Sequence, residues 1–107
     1  MVRVNATVLR NVSEYIDYAL QNIPDEQLTN EMLNDVSKYK RMLIERAEFW
    51  DDGITRISVD IEPQMMKNLR IFVNYTLTNT TNDKLTVELL NNCSLFNAYF
   101  ITHPELQ

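Results

Sequence analysis

VLRNVSEYIDYALQNIPDEQLTNEMLNDVSKY (residues 8–39) and MMKNLRIFVNYTLTNTTNDKLTVELLNNCSLF (residues 65–96) align without a gap at an offset of 57. Ten of the 32 pairs are identical, among them Asn11/Asn68, Tyr18/Tyr75, Asn22/Asn79, Leu28/Leu85, Thr29/Thr86 and Glu31/Glu88. Others keep size and character, such as Val12/Leu69, Tyr15/Phe72, Ile16/Val73 and Tyr39/Phe96. The chain is an internal repeat, and a feature found in both copies carries more weight than one found once. A unit of about fifty residues buries too little surface to fold well alone. The copies, 1–50 and 56–104 around a linker at 51–55, are therefore expected to form one domain. The linker's five residues reach only about 17 Å, which leaves open a monomeric pseudo-dimer or a homodimer that exchanges strands.

The shared layout Leu-Thr-x-Glu-x-Leu, at 28–33 and 85–90, marks two helix starts. A threonine hydroxyl at the N-cap accepts a backbone N–H, glutamate in the first turn complements the helix dipole, and the two leucines form a staple. Helices are thus expected from Asn30 and from Val87. The first carries apolar residues at spacings of three and four toward Trp50, and the second ends before Pro104. An earlier amphipathic helix in each copy runs through Val8–Leu20 and Met65–Leu77 and closes at Asn22 or Asn79, asparagine being tolerated in the left-handed conformation after a last turn. Short polar connectors suggest that each helix pair forms a hairpin.

Ahead of these helices, Ile57, Val59 and Ile61 alternate with Ser58, Asp60 and Glu62, and Pro63 stands at a helix start. Val2 and Val4 alternate with Arg3 and Asn5 in the same way. Each copy reads β-α-α, so the fold expected is mainly α: β-α-α-β-α-α, a two-stranded antiparallel ribbon on four helices. The alternative is a four-helix bundle of two duplicated hairpins, with residues 1–8 extending the first helix.

Composition narrows the function. One Gly and three Pro in 107 residues suit long helices with short connections. No stretch is apolar enough to span a membrane and the first residues lack a signal-peptide core, which points to a cytoplasmic protein. Cys93, on the apolar face of its helix, is expected to be a small buried hydrophobe. One His, one Cys and one Gly supply neither zinc-site spacing nor a phosphate-binding loop, so neither an enzyme nor a cofactor is expected. The net charge of −5 argues mildly against nucleic acid, although a local basic face is compatible with it.

The stretch TRISVDIEPQMMKNL (55–69), an alternating strand preceded by arginine, then a proline at a helix start and apolar residues at helical spacing, resembles ribbon-helix-helix proteins of the Arc/MetJ class. The resemblance covers nearly the whole chain, as a tandem duplication. It implies a sequence-specific DNA-binding protein, a small transcriptional repressor whose ribbon enters the major groove of double-stranded DNA. The base-contacting positions would be Arg3, Arg56, Ser58 and Asp60, with Met1 opposite Ser58 and Arg3 opposite Arg56. The phosphate-contacting positions would be Thr29, Asn30, Lys84 and Thr86 at the second-helix starts. Asp60, Glu62, Glu31 and Glu88 depart from that pattern by placing carboxylates at or beside these positions. They support the other reading, an acidic protein–protein interaction module, an inhibitor or decoy, on the same scaffold. Lys38, Lys40 and Arg41 have no match in the second copy and read as a solvated helical face.

Overall fold

The computed structural model describes residues 1–23, 28–46, 58–79 and 85–106. Among them the order is β1 (Val2–Asn5), α1 (Ala6–Asn22), α2 (Asn30–Glu45), β2 (Ser58–Ile61), α3 (Pro63–Asn79), α4 (Val87–Thr102) and a closing 3-10 turn, Pro104–Leu106. The protein is mainly helical, with one two-stranded antiparallel sheet. Residues 2–5 form a strand rather than extending α1, so the plain bundle of helical hairpins does not describe it.

Local hydrogen bonds set the helix boundaries. Thr29 and Thr86 sit in extended conformation and their hydroxyls accept from Met32 N at 3.1 Å and Leu89 N at 3.2 Å. Asn5 caps α1 in the same manner, accepting from Thr7 N at 2.8 Å. α1 and α3 do end at Asn22 and Asn79, but not by a left-handed residue, because no described residue has a positive φ. Each asparagine side-chain amide instead donates to the carbonyl four residues back, Asn22 to Tyr18 and Asn79 to Tyr75, both at 2.8 Å. α2 stops earlier than its apolar spacing suggests: Arg46 is already extended at the C-cap, and Trp50 lies outside the described residues. The linker expected at 51–55 also lies outside the described residues.

The main helix pairings run between copies, not within them: α1 lies along α4 and α2 along α3. The ribbon takes one strand from each copy, joins the starts of α1 and α3, and leaves each first helix to bury its stripe against the other copy's second helix. Neither copy therefore holds a complete core. Contacts within a copy persist as side-chain bonds, with the Tyr39 hydroxyl donating to the Leu9 carbonyl and Lys40 paired with Asp17. Tyr15, Phe72, Tyr39 and Phe96, two pairs of repeat equivalents, are fully buried at the centre with Leu9, Met66 and Leu69. Burying each such side chain contributes about 1.5–3 kcal/mol. The radius of gyration of 13.4 Å matches the ~13 Å of one compact hundred-residue domain.

The equivalence of the copies breaks inside this core in a matched way. Tyr15 Oη lies 2.7 Å from Thr76 Oγ1, which itself donates to the carbonyls of Phe72 at 2.9 Å and Val73 at 3.0 Å, so the tyrosine is the donor to threonine. At the repeat-related positions stand Phe72 and Ala19, both buried and neither with a hydroxyl. A polar pair on one side faces an apolar pair on the other.

Candidate nucleic-acid interface

The ribbon's two faces follow from strand periodicity. Val2, Val4, Val59 and Ile61 point into the core and are buried, which turns Arg3, Ser58 and Asp60 to solvent. The ladder pairs Val2 with Ile61, Arg3 with Asp60, Val4 with Val59 and Asn5 with Ser58. The register expected from sequence, Met1 opposite Ser58 and Arg3 opposite Arg56, is therefore off by four residues. An even slip leaves every side chain on its expected face. The observed register stacks Val2 on Ile61 and Val4 on Val59, whereas the expected one would set Val2 and Val4 opposite Ile57 and Thr55. Burying four branched aliphatic residues as two cross-strand pairs decides between them.

Arg3 and Asp60 occupy the same place in their respective copies, 57 residues apart, so the pseudo-twofold axis of the ribbon passes through this pair. Arg3 Nε lies 3.5 Å from Asp60 Oδ1, with the side chains 73% and 51% exposed. An ion pair so open to water contributes ~1 kcal/mol or less, and a stronger ligand can displace it. From the C-cap of α2, Arg46 Nη1 donates to the Asp60 carbonyl at 3.2 Å, bringing a second guanidinium to the ribbon. At the other end the Asn5 amide donates to Tyr99 Oη at 3.2 Å, tying β1 to α4. Arg46 was not signalled by sequence, because its reach to the ribbon depends on how α2 packs.

Arg3, Ser58 and Asp60 are thus gathered on one exposed surface, while Arg56 lies outside the described residues. Thr29 and Asn30 stand at the start of α2 and Thr86 at the start of α4, all exposed, while Lys84 is outside the described residues. Each threonine oxygen is already engaged as a cap and keeps its proton for a further acceptor. Glu31 and Glu88 stand exposed in the adjoining first turns. Charges on the described outer face nearly balance, with Arg3 and Arg46 against Asp60 and Glu62.

Chemistry beyond binding is sparse. Cys93 is buried, and that burial pushes its thiol up to about 12. His103 Nδ1 lies 3.0 Å from both the Tyr99 carbonyl and Thr102 Oγ1, closing the end of α4. Among the described residues no group of three His, Cys, Asp or Glu side chains is placed to hold a metal ion, and no helix is long and apolar enough to cross a membrane. No protein-family profile, no curated protein and no solved structure matches the chain.

Proposed function

We propose that the chain is a tandem ribbon-helix-helix protein that binds double-stranded DNA sequence-specifically as a small transcriptional repressor, inserting β1 and β2 into the major groove. The observation that carries this reading is the ribbon itself: one strand from each copy, apolar side chains inward, and Arg3, Ser58 and Asp60 outward on a helical support. An antiparallel two-stranded ribbon fits the major groove. Arg3 and Asp60, opposite each other at its centre, complement the two bases of one G·C pair: a guanidinium for guanine O6 and N7, a carboxylate for the cytosine amino group. Binding would exchange their mutual ion pair for these contacts. The capped starts of α2 and α4, at Thr29-Asn30 and Thr86, would contact phosphates. Because the copies differ at the reading positions, the operator would be asymmetric.

The net charge of −5 and the carboxylates of Asp60 and Glu62 on the ribbon favour a second reading, an acidic module that binds a protein as inhibitor or decoy. One experiment separates the two. The full chain is titrated into a randomised duplex library at low and moderate salt, and bound sequences are recovered. Enrichment of one asymmetric site with a central G·C pair, lost in Arg3→Ala, supports the proposal. Asp60→Asn should raise affinity for all duplexes and weaken the demand for cytosine at that pair, since it removes a charge that repels phosphate. Absence of binding at low salt overturns it and leaves the protein-binding module, whereas enrichment unchanged in Arg3→Ala overturns the role given to the ribbon arginine.

A further inference from the structure

Two backbone groups of the ribbon bond to side chains that come from the ends of the second helices. The Asp60 carbonyl of β2 accepts from Arg46 Nη1 at 3.2 Å, and the Asn5 amide that ends β1 donates to Tyr99 Oη at 3.2 Å. Both bonds cross between the copies. Arg46, the C-cap of α2, belongs to the first copy and reaches the strand of the second, whereas Tyr99 in α4 belongs to the second and reaches the strand of the first. The two residues are not repeat equivalents: Met42 stands where the second copy has Tyr99, and His103 where the first has Arg46. What the copies share is a hydrogen bond between the last turns of a second helix and the other copy's strand. The side chain that makes it is charged on one side and neutral on the other.

We infer that Arg46 and Tyr99 are positioning residues for base readout, fixing where the reading side chains stand without touching DNA; this rests on the ribbon being the DNA-reading element. The ladder puts Asp60 opposite Arg3 and Asn5 opposite Ser58. The two bonds therefore grip the two rungs that carry Arg3, Ser58 and Asp60. Val2, Val4, Val59 and Ile61 keep the ribbon on the helices, but apolar burial is non-directional and leaves a short ribbon free to slide or tilt. A hydrogen bond adds direction, and a recognition site has to be held to about 0.5 Å. The other use for an arginine beside the ribbon is a phosphate contact. Against it, Arg46 Nη1 is directed at the strand carbonyl, and the corresponding bond to β1 is made by the uncharged hydroxyl of Tyr99, which neutralises no phosphate.

The test takes the duplex that the wild type enriches and the same duplex with its central G·C pair replaced, and measures binding of the full chain to both from low to moderate salt. The wild type should prefer the enriched duplex by about tenfold or more. Arg46→Ala should remove most of that preference while the slope of log affinity against log salt stays that of the wild type. Arg46→Lys, which keeps a donor at the end of a long side chain, should restore part of it. Tyr99→Phe, which loses only the hydroxyl, should also lower the preference at unchanged slope, with helical circular dichroism the same in all. A slope shallower by about one in Arg46→Ala makes Arg46 a phosphate contact and overturns the inference. Wild-type preference in either Arg46→Ala or Tyr99→Phe overturns it as well. A wild type that enriches no duplex is a separate outcome, which removes the DNA-binding reading and this inference with it.

Discussion

Set side by side, the two copies agree where structure is local and differ where they meet. The threonine-capped starts of α2 and α4, the closing asparagines of α1 and α3 and the strand alternation are the same. Two of their differences fall on or across the pseudo-twofold axis and come as complements: Arg3 against Asp60 at the ribbon centre, and Tyr15 with Thr76 in the core where the other side has Phe72 and Ala19. Two like copies pairing with each other would set arginine on arginine or aspartate on aspartate. They would also set Tyr15 against Ala19, or Phe72 against Thr76. An orphaned buried hydroxyl costs about 1–3 kcal/mol, whereas like charges across an exposed strand pair cost about 0.2–1 kcal/mol. The core pair is therefore the stronger device for joining unlike halves.

The largest expected effect concerns protons. Copy one buries Tyr15 and Tyr39 where copy two has Phe72 and Phe96, and copy two buries Cys93 where copy one has Val36. Burial pushes Tyr15 from 10.0 up to about 12 and pushes Cys93 from 9.0 up to about 12. Burial also raises Tyr39. These folded-state values are raised, so the stability that depends on the neutral groups is complete below about pH 9 and is lost as pH climbs toward 12. Urea unfolding followed from neutral to alkaline pH should show a flat region and then a steep fall. Cys93→Val, which borrows the residue of copy one, should move the start of the fall from about pH 9 to about pH 10, where the tyrosines begin to titrate. A fall that begins at the same pH in the variant would mean that the thiol is not shielded in the folded protein.

A smaller effect tests the core pair directly. Thr76→Val keeps the shape of the side chain but leaves the Tyr15 hydroxyl without its acceptor, and should cost about 1–3 kcal/mol in urea unfolding. Tyr15→Phe together with Thr76→Val converts the polar pair to an apolar one, the chemistry already present at Phe72 and Ala19, and should return close to the wild type. Additive losses in the double variant would show that Tyr15 and Thr76 act separately.

How far sequence could reach follows from the same division. Asn30, Val87 and Pro63 are legible as helix starts, and Asn22 and Asn79 as ends, because hydrogen bonds within one turn decide them and each signal occurs twice or is fixed by proline. The chemistry of the closing asparagines is not, since a left-handed residue and a side-chain bond to the carbonyl four back call for the same amino acid. An apolar stripe tells which face of a helix is covered and says nothing of the covering element, so the hairpins expected within each copy proved to be pairings between copies. In the candidate site, period two puts Arg3, Ser58 and Asp60 outward by sequence alone. Their register depends on how Val2, Val4, Val59 and Ile61 stack, and Arg46 reaches Asp60 only through the packing of α2, neither of which is written in local pattern.

The smallest effect probes the ribbon centre without reference to DNA. Asp60→Arg opposes two guanidiniums across the strand pair, which would make the unlike copies alike at the axis and should cost about 0.2–1 kcal/mol at low ionic strength. Exchanging the pair, Arg3→Asp with Asp60→Arg, restores opposite charges in the same register and should recover most of that loss. Both side chains are largely open to water, so the difference between the single and the exchanged variant should shrink in about 1 M salt, where the screening length falls to about 3 Å. If the single and exchanged variants unfold at the same urea concentration at low salt, Arg3 and Asp60 contribute nothing to joining the halves. Their opposite charges then stand at the axis for whatever the ribbon binds.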